Sequence, residues 1–192
     1  GNEAFGKCPR LTNVTIPDSV TVIGDGAFCH CASLNEITLP NGLAQIGREV
    51  FYGCSSLRSV TLLNDLSAFS AGWVFGGETS ANLTSVIIGN SVTSIGDEAF
   101  IKCDSLSNVT IGSHVSEIGA IAFASCAGLT SVTLPDSVTF IGDLAFTDCK
   151  NLTNVLFYGD APLSGGDVFS CTPVLITYFP GTTGWGATFG GC

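Results

Sequence analysis

The sequence predicts a repeat solenoid, in which short coils stack along one axis and share a core. Three observations support this fold class. An apolar signature recurs about every 23 residues, each copy carries Gly or Pro at fixed positions, and the chain is 45% hydrophobic but only 11% charged. The clearest copy, 129–149, follows Leu-x-x-Val-x-Leu-Pro-x-x-Val-x-x-Ile-Gly-x-x-Ala-Phe-x-x-Cys. The same spacing recurs at 11–31, 34–54, 83–103 and 106–126.

Each repeat opens with a predicted short strand. Its Leu-x-x-Val-x-Ile spacing alternates inward and outward residues, so that Val14 and Ile16 point inward while Asn13 and Thr15 point outward. A Pro or Gly then turns the chain and limits the strand, at Pro17, Pro40, Gly89, Gly112 and Pro135. Stacked coils would join these strands into a parallel sheet on one face of a right-handed coil.

A second extended segment and a helical turn complete the predicted coil. Residues 20–23 continue the β-branched pattern, and Gly24 ends it where the chain needs positive φ or a close approach. In the segment that follows, Ala27, Phe28 and Cys31 are spaced so that one helical turn would bury all three. We therefore expect short extended segments and single-turn helices on the other faces.

The repeat register defines the expected domain organisation. We predict a single domain over 1–192, with these parts: a partial repeat at 1–10, two regular repeats at 11–56, an irregular 26-residue repeat at 57–82, three regular repeats at 83–151, and degenerate repeats with a C-terminal cap at 152–192. The partial first copy and the absence of Met indicate a processed protein or a fragment.

Composition excludes several classes of partner. The chain has 16 acidic and 6 basic side chains, a formal net charge of −10, and its Lys and Arg residues are scattered singly. Nucleic acids and anionic membranes both require basic clusters, so neither is expected as a partner. No apolar stretch has the roughly 18 residues of a membrane span, so we expect no membrane insertion in this segment.

The repeat resembles the BspA-like class of leucine-rich repeats over residues 3–179, because a Gly, an Ala-Phe pair and a Cys recur at fixed offsets. The resemblance implies a leucine-rich repeat solenoid that is secreted or lies on a bacterial or protist cell surface and adheres to other proteins. It implies no enzymatic activity, no catalytic residues and no cofactor.

Seven cysteines fall at or beside one repeat position: Cys8, Cys31, Cys54, Cys103, Cys126, Cys149 and, one residue early, Cys171. We favour a column of buried thiols, since free cysteine is among the most buried residue types. Disulfides are the alternative in an oxidising compartment, although side chains of one column point the same way. Cys29 and Cys192 lie outside the column and are the more reactive candidates.

Catalysis and metal binding are not predicted. The Cys29-His30-Cys31 sequence suggests a metal site, but Cys31 is needed by the core and no second pair has zinc-like spacing. His114 precedes the inward Val115 and is expected on the surface. No nucleophile, base and acid recur together, so we expect no enzyme.

The outward residues of the first strand form the predicted interaction face. Its central column consists of Thr15, Thr38, Thr61, Ile87, Thr110 and Thr133. Thr also suits any solvated strand because it is β-branched, so this column is compatible with a purely structural role. The functional interpretation is a hydroxyl-rich face for a protein or glycan ligand. An ice-binding face is a further alternative, although Ile87 interrupts the array.

The irregular repeat and the two ends provide further candidates. If Val74 and Phe75 occupy the Ala-Phe position, Trp73 faces outward as an interface anchor, unless the extra residues fold back and bury it. Trp185 and Phe189 are expected to cover the C-terminal end of the core. The apolar edge of the first partial repeat predicts end-to-end pairing of two copies.

These observations favour a non-catalytic extracellular or cell-surface module for protein interaction or adhesion. The alternative is a passive spacer segment of a larger surface protein.

Overall fold

The computed structural model describes residues 1–63, 75 and 82–191. Their regular structure consists of short β-strands, one or two per coil. In chain order these are β1 Val22–Ile23, β2 Glu36–Leu39, β3 Gln45–Ile46, β4 Ser59–Leu62, β5 Ser85–Ile88, β6 Ser94–Ile95, β7 Asn108–Thr110, β8 Glu117–Ile118, β9 Ser131–Leu134, β10 Phe140–Ile141, β11 Asn154–Phe157, β12 Leu163–Ser164 and β13 Leu175–Tyr178.

Strands from successive coils pair in parallel. The first strands form the sheets β2-β4-β5-β7 and β13-β11-β9, and the second strands form β1-β3 and β12-β10-β8-β6. The register joins equivalent residues of neighbouring repeats, as in Ile37 opposite Val60. This arrangement is a parallel β-solenoid, which confirms the predicted fold class.

The first-strand face is divided where one parallel sheet was expected. Within the described ranges, no strand pairing joins β7 to β9. The second row continues through the same coils, since β8 pairs with both β6 and β10. The solenoid therefore stays continuous while its first face consists of a four-stranded and a three-stranded sheet.

The first copy also departs from expectation, because Thr15 and its neighbours form no strand. This coil meets the next through a long contact, in which the Asn35 N–H donates to the Thr12 carbonyl at 3.5 Å. Val14 and Ile16 are accordingly only half-buried.

The third side of each coil is a series of tight turns, so the prediction of single-turn helices is wrong. Glu98 and Lys102 have φ values of 56° and 57°, whereas every residue of a right-handed helix has a negative φ. Successive backbone N–H groups of these turns donate hydrogen bonds alternately within their own coil and to the next coil. The Ile101 N–H donates to the Glu98 carbonyl at 3.3 Å, and the Phe100 N–H donates to Ala122 of the next coil at 2.8 Å. The turns therefore form a third ladder between coils and still bury Phe100.

A column of stacked phenylalanines runs the length of the core. Adjacent ring centroids are 5.2–5.7 Å apart and the rings are tilted by at most 16°. Its members are Phe5, Phe28, Phe51, Phe75, Phe100, Phe123, Phe146 and Phe169. Phe75 thus occupies the phenylalanine position of the irregular repeat, as the spacing predicts.

Carboxylates and glycines of neighbouring coils form a further ladder. Asp143 Oδ1 accepts the Gly166 N–H at 2.7 Å, and Asp97 Oδ1 accepts the Ala120 N–H at 2.7 Å. A Cβ on Gly119 or Gly165 would collide with the Asp of the preceding coil. Gly at this position is therefore required for close approach, which is one of the two roles that its place in the repeat predicts.

Replacing Asp143 with alanine is expected to lower the free energy of unfolding by about 0.5–1.5 kcal/mol, because the Gly166 amide loses its acceptor. Asn2 accepts the equivalent amide of Asp25 at 3.0 Å, so Asp143→Asn should retain most of the stability. Urea denaturation of both variants measures the difference. Equal destabilisation by Asn and Ala would contradict a role for the hydrogen bond.

Candidate interaction surface

The predicted threonine column is built by strand register. Thr38, Thr61, Ile87 and Thr110 are successive partners across β2, β4, β5 and β7. Thr133 belongs to the other part of the face, where it is paired with Leu156 of β11. Paired strands lie about 4.8 Å apart, so the side chains of each part form a regular row.

Several hydroxyls beside this column are used by the fold itself. Thr84 Oγ1 donates to the Arg58 carbonyl at 3.1 Å, and Thr153 Oγ1 donates to the Thr130 carbonyl at 3.3 Å. On the second face, Thr139 Oγ1 donates to the Ser116 carbonyl at 3.2 Å. These side chains bridge adjacent coils, and their role is structural.

The hydroxyls of the central column have no such role. Among the described residues, Thr38, Thr61, Thr110 and Thr133 donate no side-chain hydrogen bond, and all except the half-buried Thr61 are exposed. A β-branched shape suits a strand, but it does not require a hydroxyl. The column therefore presents polar groups that remain available to solvent or to a ligand.

A groove crosses this face between the first three coils. Its volume is about 280 Å³, and it includes Thr15, Thr38 and Thr61 of the column. Two carboxylates, those of Asp18 and Glu36, also line it. None of the described residues that line the groove is Lys, Arg or His. The groove thus combines free hydroxyls with uncompensated negative charge.

Three residues that the sequence analysis names lie outside the described residues: Trp73, Val74 and Cys192. The proposed role of Trp73 as an interface anchor stays a prediction.

The buried thiols form a hydrogen-bonded column. Each Sγ donates to the carbonyl of the phenylalanine in the preceding repeat, as in Cys54 to Phe28 at 3.1 Å and Cys126 to Phe100 at 3.1 Å. The column consists of Cys31, Cys54, Cys103, Cys126 and Cys149, and none of them is in a disulfide. The predicted buried thiols are confirmed for these five members.

Burial sets the protonation state of these thiols. Desolvation raises the pKa of Cys54, Cys103 and Cys149 to about 12, and it also raises the pKa of Cys31 and Cys126. A thiol with so high a pKa remains protonated at neutral pH and is a hydrogen-bond donor, not a nucleophile. The column is therefore structural.

The two terminal members of the predicted column are exceptions. Cys8 and Cys171 are exposed. Thr172 takes the place assigned to Cys171, since its hydroxyl donates to the Phe146 carbonyl at 2.7 Å. The sequence contained this signal, because Thr172 is 23 residues after Cys149.

The two histidines form no metal site with their neighbours. In the described part of the chain, no group of three or more His, Cys, Asp or Glu side chains is arranged to hold a metal ion. His30 lies edge-on to Tyr52 with ring centroids 5.3 Å apart. His114 is exposed, and its Nδ1 lies 2.6 Å from the Asn90 carbonyl oxygen. Cys29, the described candidate for reactivity, is half-buried.

Aromatic side chains cover the C-terminal end of the core. Trp185 and Phe189 both contact Phe157, with ring centroids 4.8 Å and 5.6 Å away. This matches the place expected for them. Sequence reasoning missed the stacked pair of Tyr158 and Phe179, whose rings lie 5.3 Å apart at the corner after β11 and β13.

The opposite end of the solenoid has an apolar hollow of about 400 Å³. Phe5, Val14, Ile16 and Phe28 line it, and Phe5 is 48% exposed. End-to-end pairing of two copies through such a surface stays a prediction, which light scattering at high protein concentration would test.

The fold and the repeated core define the class of protein: this is a leucine-rich repeat solenoid. The sequence matches the BspA type leucine rich repeat region in six copies, over residues 1–76 and 73–184, and the chain belongs to that family. No curated protein matches it.

Several solved bacterial structures are similar. A leucine rich repeat protein from T. pallidum is 29% identical with a TM-score of 0.64, and the match covers 86% of this chain and 77% of that one. One from Eubacterium ventriosum is also 29% identical, with a TM-score of 0.61 and coverage of 74% and 38%. A leucine rich cell surface protein from Faecalibacterium prausnitzii is 27% identical, with a TM-score of 0.51 and coverage of 88% and 54%. The chain thus spans between about two fifths and three quarters of these proteins.

No described segment forms a helix that is long and apolar enough to cross a bilayer.

Proposed function

We propose that this chain is a non-catalytic module for protein interaction or adhesion, outside the cell or on its surface, and that it binds through the first-strand face. The observation that carries the proposal is the central column, where exposed Thr hydroxyls make no bond within the described fold. A ligand can therefore use these groups without disturbing the solenoid.

The family and the charge distribution support the same function. The chain belongs to the BspA type repeats, and a similar structure is that of a cell surface protein. An extended sheet face is the surface that solenoids commonly offer to partners. The net charge of −10 disfavours nucleic acid. Protein and glycan ligands remain the two candidate classes.

The test is binding of the purified chain to immobilised extracellular-matrix proteins and glycans. We expect saturable binding that weakens in Thr38→Val/Thr61→Val/Thr110→Val. Each hydroxyl that the ligand engages should raise the dissociation constant about twofold to tenfold, since a net hydrogen bond contributes about 0.5–1.5 kcal/mol. Valine keeps the β-branched shape, so the strands should remain intact.

A matched variant controls for the loss of hydroxyls elsewhere. Thr21, Thr183 and Thr188 are exposed, lie off the first-strand face, and donate no side-chain hydrogen bond to a described residue. Their replacement by valine should leave binding unchanged. Absence of saturable binding across the panel would favour the passive spacer instead. Thermal hysteresis measured on the same samples would detect the ice-binding alternative.

A further inference from the structure

Two acidic side chains lie together in one groove of the first-strand face. The groove of the first three coils contains the carboxylates of Asp18 and Glu36. Glu36 points outward from β2, is exposed, and makes no hydrogen bond or ion pair with any described residue. Farther along, the outward positions of the face include the apolar side chains of Ile87 and Leu156. Among the described strands of this face, β2 is thus the one that carries an acidic residue.

Within the described residues, neither carboxylate of the groove is paired with a cation. Asp18 Oδ1 accepts the Asn41 N–H at 3.2 Å, but neither acid forms an ion pair within the described structure. Arg58 is exposed and directly precedes β4 in the third coil, yet it is not among the residues that line the groove. A cationic partner would supply the charge that the fold leaves unbalanced.

The groove also has the shape and chemistry for an extended chain. It crosses three coils, and a spacing of about 4.8 Å between neighbouring coils gives a path of about 10 Å, the length of three extended residues. Hydroxyls of Thr15, Thr38 and Thr61 can donate to or accept from a peptide backbone. Leu63, which is 37% exposed, offers apolar surface for the aliphatic stem of a Lys or Arg side chain.

We propose that this groove binds an extended peptide segment containing Lys or Arg, with Asp18 and Glu36 contacting its cationic side chains. The inference deepens the proposed function, since it rests on the first-strand face as the binding surface. It names a basic polypeptide as the ligand and restricts the contact to the first three coils.

The decisive variant is Asp18→Asn/Glu36→Gln, which removes two charges and keeps both side-chain shapes. Asn should be tolerated in place of Asp18, because Asn90 occupies the equivalent position of a later repeat and accepts the Ser113 N–H at 3.0 Å. The matched control is Glu117→Gln/Asp160→Asn. Glu117 is an exposed strand residue on the second face, and Asp160 accepts the Thr183 N–H at 2.6 Å. Both variants therefore lose two charges of the same types.

Hexalysine is the probe, with hexaglutamate and an uncharged Ser-Gly hexapeptide as references. Titration calorimetry at low salt should show hexalysine binding that weakens about threefold to tenfold in the groove variant and less than twofold in the control. Raising the salt to about 0.3 M should abolish most of the binding, because screening shortens the reach of exposed charges. Amide chemical shifts should change around Thr38 and Thr61.

Equal weakening in both variants would overturn the proposal, since it would indicate diffuse attraction to an acidic surface. Binding of the uncharged peptide as tightly as hexalysine, or no binding of hexalysine, would also overturn it. If the binding of matrix ligands requires the column threonines but not Asp18 and Glu36, the proposed function stands and this inference fails. If hexalysine binding requires the two carboxylates but no matrix ligand requires the threonines for binding, the broader function fails and the groove inference stands.

Discussion

Replacing Phe123 with alanine is expected to lower the free energy of unfolding by about 3–5 kcal/mol, the usual loss for a buried aromatic side chain. Phe123 is fully buried, and its ring lies 5.2 Å from both Phe100 and Phe146. The substitution removes two stacked contacts and leaves a cavity between coils that cannot close without shifting the stack. Domains commonly have only about 5–15 kcal/mol of stability, so the change is large.

Urea denaturation followed by circular dichroism measures this effect, and Phe140→Ala is its control. Phe140 belongs to β10 but points outward and is 41% exposed, so its replacement should cost about 1 kcal/mol or less. Phe5→Ala tests the end of the column, where the ring is 48% exposed and contacts one neighbour, Phe28. We expect a smaller loss there than at Phe123. Similar losses in the free energy of unfolding at Phe123 and Phe140 would contradict the larger stabilising role that we assign to the buried aromatic column.

The period of the sequence was sufficient to predict the coil, because a repeated apolar row has meaning only when neighbouring repeats bury it together. It predicted the inward positions of Ala99, Phe100 and Cys103, which the structure buries. It could not predict the backbone of the third side. A spacing of three and four residues suits a helical turn, but it also suits a series of turns that donates alternate amides to the next coil. Positive φ at non-glycine residues such as Glu98 and Lys102 leaves no local signal in the sequence.

The interaction surface was predictable only in outline. Alternation along the strand placed Thr38, Thr61 and Thr110 on the outer face, and the register aligns them. Sequence alone could not distinguish hydroxyls used by the fold, such as Thr84, from those left free. That distinction depends on where the carbonyl of the preceding coil lies. The groove beside Asp18 is lined in part by the first coil, which forms no strand although its apolar pattern is regular.

The thiol column shows how one repeat position combines packing with hydrogen bonding. A thiol is small and apolar enough for the core, and its weak donor satisfies a carbonyl that the turns leave facing inward. Thr172 performs the same task with a hydroxyl. The difference between the two side chains is that a thiol can ionise in alkaline solution, and an ionised thiol neither donates a hydrogen bond nor tolerates burial.

We expect the protein to lose stability steeply above pH 9. Burial raises the pKa of Cys54, Cys103 and Cys149 from 9.0 to about 12. The contribution of the protonated thiols to the free energy of unfolding is therefore fully present below pH 9 and is lost as the pH rises toward 12. Each thiol lowers the free energy of unfolding by at most about 1.4 kcal/mol per pH unit in that window, or about 4 kcal/mol per pH unit for the three together.

Urea denaturation at pH 8, 9, 10 and 11 under reducing conditions measures this slope. In Cys54→Thr/Cys103→Thr/Cys149→Thr a hydroxyl replaces each thiol as the hydrogen-bond donor, as at Thr172, while the Lys and Tyr residues are unchanged. We expect a shallower slope for this variant whatever its stability at pH 8, with the remaining slope contributed by Cys31 and Cys126, whose pKa burial also raises. Parallel pH profiles would show that the three replaced thiols do not control alkaline unfolding.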